Sequence, residues 1–270
     1  MNKRYGKQRK SLLIFFLIIP LIASWATSKY IFNKISNKKT INAVKIEVKD
    51  QEKENIEVKG KTKKHIDGFE IYSLQVGSLN DYKEVESVVN NLKSLGIPNY
   101  VYKKEDAYKI YTYVSLDESS VRKNLENIKS IYSDAFISKI QVGYIDLEYT
   151  KKYEYMNEVC SNLELIIESM KQESKFWNEY KIGKSNYDDY IKIINNKSKI
   201  VDSLTKSSEK FRGKYAENFE EKMSKFCEIQ KKNVEGINKN LGDGNVKSCQ
   251  KLFISSLLQY YEFINEIKNI

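Results

Sequence analysis

Histidine is almost missing from this chain. His65 is the only one in 270 residues. The three cysteines, Cys160, Cys227 and Cys249, form no CxxC pair and no Cys/His cluster. A zinc site draws on three or four such ligands, and a histidine-centred triad needs an imidazole beside its nucleophile. Neither HExxH nor ExxH occurs, and no pair of carboxylates is singled out for glycoside hydrolysis. We therefore expect a non-enzymatic protein without metal or cofactor. The thiols are expected to be buried in helices, with one disulfide and a leftover thiol as the alternative. Proline is as scarce: only Pro20 and Pro98 interrupt the chain.

An even spread of positive charge is also lacking. The formal charge is +10, but residues 1–64 hold 16 basic and 5 acidic residues, while the remainder holds 30 and 31. The part rich enough in apolar residues to fold is thus close to neutral. A basic folded domain is the usual footprint of nucleic-acid binding, so no nucleic-acid partner is expected.

The excess charge has an orderly arrangement. Residues 1–10 form a basic tail carrying Lys3, Arg4, Lys7, Arg9 and Lys10. An uncharged run follows from Ser11 to Ser28. Eighteen helical residues at about 1.5 Å each reach about 27 Å, enough to cross a bilayer core. We read residues 11–32 as a transmembrane anchor, with Trp25 and Tyr30 at the far interface. The basic flank places the N-terminus in the cytoplasm and the bulk outside it, as a single-pass protein of the cell membrane. A signal peptide cleaved near Ser24-Trp25-Ala26 is the competing outcome, and it too exports the bulk. Residues 33–66 are dense in charge and poor in large apolar groups, and read as a mostly disordered linker in which "INAVKIEV" is the one strand-like stretch.

From residue 67 the pattern changes. "FEIYSLQVGSL" alternates like a strand. Asp81 and Glu84 then open a helix whose apolar positions are Val85, Val88, Val89, Leu92 and Leu95, and Gly96 and Pro98 close it. The same pattern returns 36 residues later, pairing Tyr72 with Tyr108, Leu74 with Ile110, Val85 with Val121, Leu92 with Ile128 and Leu95 with Ile131. The constant offset predicts βαββαβ: strands near 70–77, 99–104, 108–115 and 135–142, and helices near 81–95 and 118–132. Both helices then pack on one face of a four-stranded sheet and leave the other face open. Tyr72, Leu74, Val76, Ile110 and Thr112 point towards the helices. Ile71, Ser73, Gln75, Lys109, Tyr111 and Tyr113 point away.

"YSLQVGSL" resembles the opening strand of the SPOR (sporulation-related repeat) domain, an aromatic followed by an apolar-Gln-apolar-Gly-Ser/Ala-Phe run. "AYKIYTYVSL" stands where that family has its third strand, with Tyr113-Val114-Ser115 in place of the usual Gly-Pro after it. The resemblance covers about residues 68–143, and the 67–145 domain is expected to have the ferredoxin/RNP-like βαββαβ layout. Members bind peptidoglycan, typically denuded glycan strands, in cell-division or sporulation proteins with an N-terminal anchor. It implies a non-catalytic, membrane-anchored peptidoglycan-binding protein. Ile71, Ser73, Gln75, Lys109, Tyr111 and Tyr113 are then the glycan-binding residues, rings lying on sugar C–H faces and the Gln amide meeting hydroxyls and N-acetyl groups. The alternative is an anchored interaction scaffold whose SPOR-like domain no longer binds glycan.

Residues 146–270 read as helical. The series Tyr149, Tyr153, Met156, Cys160, Leu163, Ile167 and Met170 has 4,3,4,3 spacing. Later series centre on Ile191 and Leu204, on Phe219 and Phe226, and on Phe253 and Ile264. "IGKSN" and "LGDGN" supply turns. A four-helix up-and-down bundle is expected, offering a surface for a protein partner or self-association. The fold class is α+β: anchor, SPOR-like domain, bundle.

Overall fold

The computed structural model describes residues 44–47, 61–181, 183–210 and 217–267. The basic tail, the expected anchor at 11–32 and most of the linker lie outside the described residues. Among the described residues no helix is long and apolar enough to cross a membrane.

The protein is α+β. The strands are β1 (Val44–Glu47), β2 (Thr62–Ile66), β3 (Phe69–Leu79), β4 (Asn99–Lys104), β5 (Ala107–Ser115), β6 (Phe136–Val142) and β7 (Ile145–Tyr149). The helices of the sheet domain are α1 (Tyr82–Ser94), α2 (Glu118–Arg122) and α3 (Leu125–Lys129), and those of the bundle are α4 (Met156–Tyr180), α5 (Tyr187–Ser208), α6 (Glu217–Gly242) and α7 (Val246–Ile267). Strands β3 to β6 form a four-stranded antiparallel sheet in the order β4-β5-β3-β6. The two central strands are thus the first members of the two repeats.

Local chemistry sets the repeat's boundaries. Asp81 accepts a hydrogen bond from the Lys83 N–H at 2.8 Å and starts α1. Gly96, at φ 66°, ends it, while the Ile97 N–H returns to the Leu92 carbonyl. The second helix departs from the expected single span over 118–132. The Asn124 side chain donates to the Ser120 carbonyl at 2.9 Å, taking the acceptor that a continuous helix would use, and the helix divides into α2 and α3. Leu74, Val76 and Ile110 pack against Val85, Leu92, Val121 and Ile128, giving a small core between sheet and helices.

Two expectations about boundaries are corrected. The 33–66 segment contains β1 and β2, which sandwich β7 in a second, three-stranded sheet of order β1-β7-β2. The helical region begins at Met156 rather than near 147. Ile145, Leu147 and Tyr149 are buried at every second residue, a strand period, and Tyr153 ends a 3-10 turn. The four-residue spacing of the two tyrosines imitates a helix turn, which is why periodicity alone misplaces them.

The connection between β2 and β3 requires Gly68. A Cβ there would stand 2.4 Å from the Val142 carbonyl oxygen. The four long helices follow the expected order, with Asn186 and Asp189 forming a reciprocal capping box at the start of α5. Their core includes Cys160, Leu163, Met170, Trp177, Tyr190, Phe226, Phe253 and Ile264. That cluster does not stop at the bundle: it continues through Leu147 and Val142 to Ile71, Val114 and Tyr111 of the four-stranded sheet.

Candidate functional site

The sheet face opposite α1 to α3 holds most of the residues expected to meet glycan. It is covered. Ile71 is 0% exposed, Ser73 1%, Gln75 7% and Tyr111 3%. Helix α7 lies against it: the Phe69 and Tyr260 rings stack with centroids 5.6 Å apart, and Tyr102 meets Tyr261 edge-on at 6.3 Å. Helix α4 closes the far end, where the Ser174 hydroxyl accepts from the Leu116 N–H at 2.9 Å and lies 3.0 Å from the Ser115 hydroxyl. Desolvation by these helices pushes the Tyr111 phenol pKa up. The expectation of an open face is therefore corrected. The physical reason is that the face is itself apolar, with Phe69, Ile71, Tyr100, Tyr102, Val114 and Ile140 among its residues, and burying it against a helix releases more free energy than leaving it in water.

The two remaining residues separate. Lys109 is half-buried at the uncovered end of β5. Tyr113 changes face. The β3–β5 register jumps from Tyr72↔Ser115 to Leu74↔Thr112, so Tyr113 and Val114 together oppose Ser73. Tyr113 takes φ 49° at this bulge and packs on the helix-side core, while Val114 joins the bundle-side core. The Lys181 ammonium caps the Tyr113 ring at 3.8 Å. The six residues thus do not form one surface. At the rim Phe136, paired with Gln75 across the β3–β6 ladder, is an exposed aromatic, at 51%.

An open concavity lies elsewhere, between the β2–β3 connection and α4. It is a cleft of about 550 Å³. Ile66, Phe69, Leu165 and Ile167 supply apolar lining, and His65, Asp67, Ser161, Glu164, Glu168 and Lys171 supply polar groups. His65 is placed by its pairing with Asp146 across β2 and β7. Its Nδ1 lies 2.6 Å from Asp146 Oδ1 and its Nε2 lies 3.2 Å from Asp67 Oδ1. The Asp146 bond raises the imidazole pKa against the opposing effect of burial, and Asp67 adds to the rise. Both ring nitrogens are engaged by carboxylates, so the ring has no free nitrogen to act as a base. With three carboxylates against Lys171, the cleft suits a ligand that brings a cationic or hydrogen-bond-donating group on an apolar stem. Sequence reading set aside His65 because it stood alone; the cue was its position before Ile66 in an alternating "TKKHI".

The cysteines sit on α4, α6 and α7, buried and unpaired. Burial pushes their pKa values up to about 12 for Cys160 and about 11 for Cys227 and Cys249, which leaves them as inert thiols. Among the described residues no three His, Cys, Asp or Glu side chains converge as a metal set. Comparison with known proteins adds no relative: no family model, no curated protein and no solved structure matches this chain.

Proposed function

We propose that this chain is a non-catalytic interaction scaffold of the bacterial envelope, anchored at its N-terminus, whose SPOR-like domain has given its ligand face to its own helical bundle. The observation that carries the reading is the near-zero exposure of Ile71, Ser73 and Tyr111 beneath α4 and α7. Anchoring and export rest on the basic tail and apolar run of residues 1–28. The acidic cleft beside His65 is the surface we assign to a protein partner, by its excess of carboxylates over an apolar lining.

Retention on purified sacculi tests this. The scaffold reading expects the folded full chain to stay in the supernatant, at the level of a charge-matched control. A second reading keeps glycan binding at the rim, where Phe136 is exposed opposite Gln75 and Lys109 lies half-buried at the uncovered end of β5. Retention that Phe136→Ala and Lys109→Ala abolish would overturn the scaffold reading in favour of that one.

A further inference from the structure

The bundle core contains a fully buried pair of charges. Glu173 of α4 and Lys197 of α5 are both 0% exposed, and Lys197 Nζ lies 2.5 Å from Glu173 Oε2. The other carboxylate oxygen, Oε1, accepts a hydrogen bond from the Tyr190 hydroxyl at 3.0 Å. Tyr190 is itself fully buried, stacked on Phe176 at 4.5 Å and met edge-on by Trp177 at 5.0 Å. Along the helices, Met170 and Ile194 lie one turn away on the same faces and are also buried. The two groups therefore face each other in an apolar, water-excluded chamber with one phenol aimed at the carboxyl.

We propose that Lys197 and Glu173 condense to an intramolecular amide that staples α4 to α5. A buried ion pair keeps a large desolvation cost, and the step begins when one ammonium proton moves to Oε2. The Nζ lone pair then attacks Cδ. Negative charge develops on Oε1, where the Tyr190 hydroxyl already donates, as a preorganised oxyanion donor does. A second proton passes from Nζ to Oε2, the Cδ–Oε2 bond breaks, and Oε2 leaves as water. The balance is one ammonium and one carboxylate giving one secondary amide and one water. No oxidant or cofactor is consumed, and the net charge of the pair stays at zero. Fixing both groups at contact distance supplies the effective concentration that free amine and acid lack. The chemistry does not depend on the function proposed above.

Peptide mapping of the purified full chain by mass spectrometry tests the step, once its intact mass no longer changes with time. The expected result is a branched peptide joining the segment around residue 173 to that around residue 197, lighter than the two separate peptides by one water, with trypsin unable to cleave after Lys197. Recovery of an unlinked Lys197 and Glu173 from the aged, folded protein overturns the proposal. This readout needs no variant and is independent of processing at the N-terminus. Tyr190→Phe keeps the stacked ring and removes only the donor. In a refolding time course it should form the amide about 100-fold more slowly than the parent. Formation at the parental rate would overturn the role assigned to Tyr190.

Discussion

One face of the four-stranded sheet carries Leu74, Val76 and Ile110 under short amphipathic helices, whereas the other carries Ile71, Ser73, Gln75 and Tyr111 under a long bundle. The first face is closed by elements of its own repeat, the second by helices from the other half of the chain. Alternation along β3 distinguishes the two faces correctly but does not say what lies on each. That depends on which distant helix has apolar surface to spare. Helix α7 has it: Phe253, Leu257, Leu258, Tyr260, Phe263 and Ile264 are all buried around its circumference, more than one bundle seam needs.

The comparison is broken most directly by truncating one residue on each face. Leu74 and Ile71 are both fully buried. Leu74→Ala and Ile71→Ala should each cost about 3 kcal/mol, the usual range for a large aliphatic in a closed core. Urea unfolding monitored by circular dichroism gives both values. A cost for Ile71→Ala below about 0.5 kcal/mol, the level of an ordinary surface change, would mean that the bundle does not seal that face in solution.

Much of this fold was legible. The 36-residue offset places all four strands of the main sheet within two residues, because both repeats solve the same local packing problem with residues at the same spacing. The bundle's helices and turns follow from seams and from Gly183 and Gly244, each at positive φ. The second sheet was not legible, since β2 reads as charged linker until β7 gives it a partner: Lys63 and Lys64 lie opposite Glu148 and Leu147. Nor was the bulge at Tyr113, where strict alternation fails by one residue. The site suffered most, because the open face was inferred from alternation alone, while the burial of Ile71, Ser73, Gln75 and Tyr111 depends on helices from the other half of the chain.

The junction between the two sheets gives the next effect. Gly68→Ala would press a methyl group against the Val142 carbonyl and the Gly143 backbone. Backbone atoms cannot swing away as a side-chain tip can, so the strands must shift. A loss of about 2 kcal/mol is expected, in the range of overpacked cores. The same denaturation measured on Gly77→Ala, within β3, where the nearest atoms lie at 3.8 Å, provides the contrast.

Ser73 reverses the usual sign. Its hydroxyl is buried and finds no hydrogen-bond partner on the covered face. Ser73→Ala removes a desolvated polar group without opening a large cavity. It should leave stability unchanged or raise it by up to about 1 kcal/mol, whereas removing a satisfied buried hydroxyl lowers it. Thr112→Val is the control across the sheet: that hydroxyl donates to the Pro98 carbonyl at 2.6 Å, and its loss should destabilise. A destabilised Ser73→Ala would show that the covered face supplies a partner to this hydroxyl in solution.

The smallest effect belongs to the cleft and tests the second sheet instead of the first. Asp146 and Asp67 raise the His65 pKa above its ordinary value, so folding favours the protonated ring. A group whose pKa is raised in the folded state contributes stability that is complete below its unfolded value, near 6.5, and that fades as pH climbs through the folded value. The ring is solvent-exposed, so the effect is screened and modest. Melting temperatures of the parent and of His65→Gln should therefore differ more at about pH 5.5 than at about pH 8.5, with the parent the more stable at the lower pH. The comparison with the variant subtracts every other titration in the chain. A gap that widens with rising pH would instead mean that the neutral ring is preferred on folding. That would place the Asp146 and Asp67 carboxylates out of contact with it and leave β2 held to β7 by its backbone ladder and its lysines alone.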